Sequence, residues 1–590
     1  MNDSSDFQAF PQRLASPSTH EELSMVKMTG SQAIVKCLLE EGVKTIFGYP
    51  GGAVIDLYDA LMDSEINHVL VRHEQGAVHA ADAFSRVTGE VGVALLTSGP
   101  GATNGVTGIA TAYADSIPLV VLTGQVPRSL IGNDAFQEVD IVGITRPCTK
   151  HNYLVGKRDD LVPTLREAFY IARTGRPGPV LVDLPKDLMS GQLVYPEKKP
   201  IRMQNYQPTY EPHIGQIAKA CRHILKSRKP VLYVGGGVIL SDASKALEEL
   251  AINLQIPVTM TLMGLGAFPG THPLSMGMLG MHGSYAANMA VAQSDLLIAV
   301  GARFDDRVTG KLEEFACNAK IIHIDIDPTS ISKNVKVDVP IVADCQYALT
   351  AINSWFAKEP GINIKEEAAQ HEPWLETIRE WSAKYPMTYK DEGELIKPQY
   401  VVEMLDKLTG GDAIITTEVG QNQMWTAQFF KFNKPRNFVT SGGLGTMGFG
   451  LPAAIGAQMA FPDRLVIDVA GDGSIQMNIQ ELATARQYNC PVKIAILNNS
   501  YLGMVRQWQE LFYDKRYAST VMETTPDFVK LAEAYGAVGL RATKKSEVVP
   551  VIKKALKTKN IVIMDFRVVR EEKVYPMVPA GKATTEMLLV

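Results

Sequence analysis

Short apolar runs, separated by stretches with helical periodicity, recur through this chain and restrict its fold more than any other feature. HVLVR (68–72), VGVALLT (91–97), PLVVLTG (118–124) and PVLVDLP (179–185) are almost wholly apolar, so both faces of each strand must be covered. The helix-period segment GAVHAADAFSRVTG (76–89) lies between the first two. Ahead of them, AIVKCLLEEG reads as a helix capped by Ser31 and stopped by Gly42. This alternation recurs in PVLYVGGG (230–237), DLLIAVG (295–301) and IIHIDID (321–327). A third set is DAIITTEVG (412–420), RLVIDVAGDG (464–473), VKIAILNN (492–499) and NIVIMDFRV (560–568). The expected fold class is therefore α/β, with three mainly parallel sheets flanked by helices. The first and third units are of similar size, as a duplicated architecture would give. Expected boundaries are a flexible extension 1–25, a first domain 26–190, a Pro- and Lys-rich linker 191–212, a central domain 213–370, a charged linker 371–395 and a last domain 396–590.

At 590 residues the chain is too long for one core, which agrees with three domains. Hydrophobic residues make up 46% and charged residues 21%, the balance of a globular protein in water. The net charge of −5 comes without a long basic run, so nucleic acid is not the expected partner. No apolar run has the ~18 residues of a membrane span. Six scattered cysteines (Cys37, Cys148, Cys221, Cys317, Cys345, Cys490) have no metal-ligand spacing and read as reduced thiols. Acidic residues near the start speak against a transit peptide, and a cytoplasmic location is expected.

The sharpest chemical signal lies in the third unit. Gly471-Asp472-Gly473 ends one strand and Asn498-Asn499 ends the next, with 24 residues between Gly473 and Asn498. A helix over roughly 478–489 makes this a crossover unit, so both strand ends emerge on the same sheet edge. One carboxylate and one amide oxygen there suit a hard divalent cation that also holds phosphate oxygens, and the glycines let backbone approach a diphosphate. A tight turn followed by a polar loop would explain GDG alone equally well. The distant NN pair favours the cation.

Other segments are weaker taken singly. Glu74 follows a first-unit strand, where a carboxylate at a helix N-terminus is explanation enough by itself. GGLGTMGFGLPAAIGA (442–457) is a Gly-rich turn opening a helix, and Gly235-Gly236-Gly237 is a tight turn after a strand.

The combination GDG-x24-NN resembles the thiamine-diphosphate signature. With FGYPGG (47–52), GQVPRSLIGNDAFQE (124–138), GRPGPVLVDLPKD (175–187), LMGLG (262–266), MLGMHG (278–283), GARFDDRVTGK (301–311) and GMVRQWQ (503–509), the chain from about residue 28 onward is similar to the large catalytic subunits of the acetohydroxyacid (acetolactate) synthase family. The resemblance implies a pyrimidine-binding and a diphosphate-binding domain flanking an FAD-associated one. It implies Asp472, Asn499 and the carbonyl of Tyr501 as Mg2+ ligands. Gln421, Asn422, Gly445, Thr446, Met447, Gly473 and Ser474 become thiamine-diphosphate contacts, with Met447 propping the cofactor and Glu74 activating its pyrimidine. Active-site lining falls to Phe136, Gln137, Lys186, Met281, Arg307 and Trp508. FAD contacts are implied at Ser116, Arg176, Gly235, Gly236, Gly237, Thr261, Leu262, Leu279, Gly280, Met281, His282, Gly301, Arg303, Asp305, Asp325, Ile326, Asp344, Cys345, Gly442 and Gly443.

The activity so implied is decarboxylation of pyruvate and transfer of its two-carbon unit to pyruvate or 2-ketobutyrate, in valine, leucine and isoleucine synthesis. The family also implies a homodimer or homotetramer with intersubunit sites, and a small regulatory subunit. Arg307 suits a substrate carboxylate, with a surface ion pair to Asp305 or Asp306 as the competing use. Trp508 suits an ethyl group, or is simply a core aromatic. Three rivals share parts of this pattern: an FAD-dependent pyruvate oxidase, a glyoxylate carboligase, which lacks the glutamate that Glu74 supplies, and a non-catalytic cofactor-binding paralogue.

Overall fold

The computed structural model describes residues 27–590, so the extension expected at 1–25 lies outside the described residues. Three parallel six-stranded sheets carry the chain. Across the first sheet the strands run Asn67–Leu70, Thr45–Gly48, Gly92–Leu96, Leu119–Gln125, Pro179–Pro185 and His151–Leu154. Across the third they run Phe438–Val439, Ile414–Thr417, Val466–Gly471, Lys493–Asn498, Val562–Arg567 and Val538–Ala542. In chain order both sheets read second, first, third, fourth, sixth, fifth. The outer units thus share a topology, which composition and size alone only suggested.

The central sheet differs: Ser275–Met278, Val258–Met260, Pro230–Val234, Leu296–Val300, Lys320–Asp325 and Val339–Val342, or third, second, first, fourth, fifth, sixth. That is the doubly wound order whose switch point, between the first and fourth strands, opens a ligand crevice at the strand carboxyl ends.

Details of the sequence reading shift in places. The first helix is Gly30–Glu40, and its cap is Thr29, which accepts the Gln32 N–H at 3.2 Å while the Gln32 side chain accepts the Thr29 N–H at 2.9 Å. Ser31 is inside the helix with its buried hydroxyl unpaired. The Gly-rich segment SGPGATNG (98–105), which follows the strand VGVALLT, contains a short helix, Pro100–Asn104. The helix expected over 478–489 is shorter, Leu482–Gln487, and is entered through two 3-10 turns. The 191–212 stretch holds a strand, Gln192–Val194, pairing antiparallel with Lys27–Thr29. The 371–395 stretch holds the helix Glu372–Lys384, which buries Trp374, Leu375 and Ile378.

Helix Glu74–Thr88 of the first unit packs along helix Gly450–Ala460 of the third. The approach is close enough that a Cβ on Gly456 would lie 2.0 Å from the Ala80 carbonyl oxygen. Gly456→Ala is therefore expected to destabilise the protein. Overpacking of this kind costs roughly 1–3 kcal/mol, more than the ~1 kcal/mol that alanine contributes in a helix. A lowered urea midpoint would register it. Beside this contact, Arg86 bonds Asp82, Asp115 at 2.9 Å and the Thr440 carbonyl at 3.0 Å, and Asp115 accepts the Gly442 and Gly443 N–H groups. A buried charge network thus ties the outer units together.

Candidate active site

Strands Val466–Gly471 and Lys493–Asn498 pair in parallel, with Gly471 opposite Leu497, so Asp472 and Asn499 leave the same sheet edge side by side. Asp472 Oδ1 accepts the Asn499 N–H at 3.3 Å. Its Oδ2 is buried without a hydrogen-bond partner. Burial pushes the Asp472 carboxyl up to about 6, because a carboxylate here has lost its water and gained little in return. Asn499 donates its side-chain amide to Gln421 at 3.2 Å, and its Oδ1 accepts the Tyr501 N–H at 3.0 Å. These groups line a cleft of about 90 Å³ with Asn422, Met447, Gly473 and Ser474. The cleft also meets the start of helix Gln421–Phe429, whose Gly420 cap offers no side chain to its first N–H groups. An unpaired buried carboxylate oxygen beside a bare helix N-terminus fits a divalent cation with a diphosphate.

Two residues expected at this cleft do not line it. Thr446 turns toward the first unit, its hydroxyl 2.7 Å from that of Thr111. Gly445, at φ +73°, serves the bend of the turn.

Glu74 opens helix Glu74–Thr88 and is buried, with Oε2 accepting from Asn104 Nδ2 at 3.0 Å. A Cβ on Gly101 would come within 3.1 Å of Oε1, so the segment 98–105 closes over the carboxyl group. Gln137, at φ +59°, sets its backbone against Gly99, Lys186 Nζ donates to the Gly52 carbonyl at 2.9 Å, and Phe136 is 88% exposed. Within one chain these first-unit residues do not reach the Asp472 cleft, whose lining among the described residues falls within 419–505. Asn104 escaped the sequence reading. Its only signal was its place at the end of SGPGATNG.

The central crevice consists of two adjoining cavities of about 270 and 380 Å³ that share Gly236, Met263, Gly301 and Arg303. The smaller gathers Ser116, Arg176, Gly237, Asp325, Ile326, Asp344 and Cys345. The larger gathers Gly235, Thr261, Leu262, Leu279, Met281, His282, Asp305, Gly442 and Gly443, together with Arg307 and Trp508. An elongated crevice at the switch point of a doubly wound sheet fits a dinucleotide such as FAD.

Not every glycine there faces the crevice for a ligand's sake. Cβ atoms on Gly235 and Gly237 would meet Gly301 backbone at 2.2 and 2.7 Å, so close packing of two strand ends demands them. Gly280 lines neither cavity. Its N–H bonds Asn288 at 2.7 Å, and a Cβ would strike the Arg307 carbonyl. Asp344 also caps helix Cys345–Lys358, and Arg176 bonds Ser116 at 2.9 Å and Asp327 at 3.1 Å. Arg307 pairs loosely with Asp306 at 3.6 Å, is half-exposed, and lies 5.7 Å from the Trp508 ring. The anticipated surface ion pair is thus present, beside the cavity rather than away from it.

Three family models match the sequence: the thiamine pyrophosphate enzyme N-terminal TPP binding domain over residues 28–144, the central domain over 217–352, and the C-terminal TPP binding domain over 418–566. The acetolactate synthase isozyme 3 large subunit of Escherichia coli is 51% identical over 96% of this chain and 99% of its own. The acetolactate synthase large subunit of Haemophilus influenzae is 50% identical over 96% and 99%. The acetolactate synthase of Mycobacterium bovis is 51% identical over 96% and 92%.

Proposed function

Since this chain belongs to the acetolactate synthase large-subunit family of thiamine pyrophosphate enzymes, we propose that it joins pyruvate to a second 2-keto acid with loss of CO2. The products are 2-acetolactate from two pyruvates and 2-aceto-2-hydroxybutyrate when 2-ketobutyrate accepts, in branched-chain amino acid biosynthesis. The observation that carries this reading is the unpaired, buried Asp472 Oδ2 at two adjacent strand ends.

Asp472, Asn499 and the Tyr501 carbonyl would hold Mg2+, and Gln421, Asn422, Gly473 and Ser474 the diphosphate. Thiamine diphosphate, when bound, supplies the electron sink that lets a 2-keto acid lose CO2. Glu74, whose Oε2 accepts from Asn104, would offer Oε1 to the aminopyrimidine. Met447 would support the ring from the Gly-rich turn. Because the lining of the Asp472 cleft among the described residues falls within 419–505, Glu74 reaches it from a second copy of the chain, and the working enzyme is a homodimer or homotetramer. Phe136, Gln137 and Lys186 would enter with that second copy. FAD would fill the central crevice. Coupling two keto acids moves no net electrons, so its part is structural.

The exposed Arg307–Asp306 pair is worth little in water, so Arg307 is free to exchange it for the carboxylate of the second substrate. Trp508 then contacts that substrate's alkyl group. Trp508→Leu is expected to lower the preference for 2-ketobutyrate over pyruvate by about tenfold, since one methylene in an apolar pocket is worth about 1–3 kcal/mol. Competition between the two acceptors, scored by product ratio, measures this.

Relatives named as large subunits imply a small partner subunit, and we assign one to this chain as well. No described helix is long and apolar enough to cross a membrane. All six cysteines are unpaired, which supports a cytoplasmic setting. The direct test is anaerobic incubation with pyruvate, with and without 2-ketobutyrate, thiamine diphosphate, Mg2+ and FAD. Acetolactate supports the reading. Acetate or acetyl phosphate formed with peroxide in air would replace it with pyruvate oxidase.

A further inference from the structure

Beneath the Gly-rich turn lie two acids that the proposed chemistry does not use. Glu418 follows strand Ile414–Thr417 and is wholly buried. Its Oε2 accepts the Gly448 N–H at 2.7 Å and its Oε1 the Leu451 N–H at 3.2 Å. These belong to the start of helix Gly450–Ala460, whose own cap residue, Phe449, bonds nothing through its side chain. Glu418 is therefore that helix's cap, supplied from a strand some thirty residues earlier, where an acceptor meets the positive end of the helix. Its backbone carbonyl accepts Asn422 Nδ2 at 2.9 Å, and its N–H donates to Val469. One residue thus touches the turn carrying Met447, the helix carrying Gln421 and Asn422, and the strand leading to Asp472.

Asp468, on that last strand, shares the pocket. It is wholly buried, its Oδ1 accepts from Thr416 at 3.3 Å, and its Oδ2 has no partner. A Cβ on Gly450 would lie 2.3 Å from Asp468 Oδ1 and 2.7 Å from the Glu418 backbone nitrogen, so the Asp468 carboxyl meets the same helix start whose N–H groups the Glu418 carboxyl accepts.

The surrounding elements bring no free cation to them. On helix Glu74–Thr88, His79 packs edge-on against Phe449, with burial holding it down to about 3 and therefore neutral. Arg86, 5.4 Å from the Phe449 ring, is committed to Asp82 and Asp115. Lys493, on the neighbouring strand, is bonded to the carbonyls of Pro491, Thr558 and Asn560. Asp472, just past the end of the Asp468 strand, is a further acid, and Gln421, Asn422 and Gln423 present neutral amides. Two carboxylates in one dry pocket cannot both ionise cheaply.

We propose that Glu418 and Asp468 share one proton and together position the Gly-rich turn that bears Met447, making them positioning residues for the cofactor site. The role assigned to Met447 rests on the proposed function; the shared proton does not. Burial raises the Glu418 carboxyl against the pull of its backbone N–H partners, and burial, then Glu418, raises Asp468, in keeping with a retained proton.

The sign for stability follows from linkage. A carboxyl raised in the folded state binds more protons there than in the unfolded chain, so stability falls as pH climbs above the ordinary carboxylate range toward the folded value. The test compares wild type, Asp468→Asn and Glu418→Gln as full-length chains. Tm is followed without cofactors from about pH 5 to 9, and then the concentration of thiamine diphosphate giving half-maximal activity at pH 7. The expected results are a Tm that declines with pH in wild type and a clearly flatter profile in Asp468→Asn, which leaves Glu418 a lone acceptor. Asp82 is raised by burial to about 6 and also titrates in this window, but it is present in both proteins and cannot produce the difference. Glu418→Gln turns an amide N–H2 toward backbone N–H donors, and is expected to raise the half-maximal thiamine diphosphate concentration about tenfold. Superimposable Tm profiles for wild type and Asp468→Asn would overturn the shared proton, whatever the enzyme makes. An altered Tm profile with unchanged cofactor dependence in Glu418→Gln would overturn the positioning role.

Discussion

Asp472→Ala is expected to lower kcat/KM for pyruvate by about a thousandfold or more, the scale of losing a principal anchor of the charge-stabilising site. The carboxylate stands at the meeting of two parallel strands, where no other acidic side chain among the described residues lines the cleft. Without it a divalent cation would keep only one amide and one carbonyl oxygen, both neutral donors, and would be held too weakly to anchor a diphosphate. A structural role and a metal-binding role part company in the protein without cofactors. Burial already raises Asp472 to about 6, so at neutral pH its ionised form costs stability that the empty cleft does not return. Asp472→Ala should therefore melt at the wild-type temperature or above it when no ligand is present. It should also lose the rise in Tm that Mg2+ and thiamine diphosphate give wild type, a gain of roughly 3–4 kcal/mol at a ligand excess of a hundred- to a thousandfold over Kd. A variant that kept this rise would remove Asp472 from the metal site.

Glu74→Gln is the second large effect, expected at about 10²–10⁴-fold in kcat, the range for a positioned acid–base group. The substitution is close to isosteric, and an amide oxygen can still accept from Asn104 at the 3.0 Å the structure gives. Folding and cofactor affinity should change little, and KM for pyruvate should hold. What is lost is an exchangeable proton at Oε1. A parallel fall in thermal stability would instead indicate that Glu74 serves only as a helix-terminal carboxylate.

Much of this was legible in residue order because burial on both faces leaves a plain trace. Pro179–Pro185 and Lys493–Asn498 are mostly apolar runs buried along their whole length, and they sit inside their sheets. Edge strands such as His151–Leu154 and Val538–Ala542 carry polar, half-exposed residues and escaped notice for the same reason. Thr29 and Ser31 both satisfy the compositional rule for a cap. Only the Gln32 side chain returning to the Thr29 N–H separates them.

The Asp472–Asn499 pair could be read because a crossover fixes both strand ends on one edge whatever else surrounds them. Glu418 and Asp468 could not, since their meaning lies in contacts with residues some thirty to fifty positions away. The Gly235-Gly236-Gly237 turn shows the opposite hazard. It marks a ligand crevice, yet two of its glycines are required by Gly301.

In the proposed enzyme one cofactor is held by the Asp472 strand ends of one chain and worked on by Glu74 of another. Co-expression of Asp472→Ala and Glu74→Gln chains, each inactive alone, tests it most directly. In random dimers half the molecules are mixed, and each mixed dimer carries one site with both wild-type residues, so about a quarter of wild-type activity should return. A mixture as inactive as its components would place Glu74 and Asp472 in the same chain's site and contradict the account.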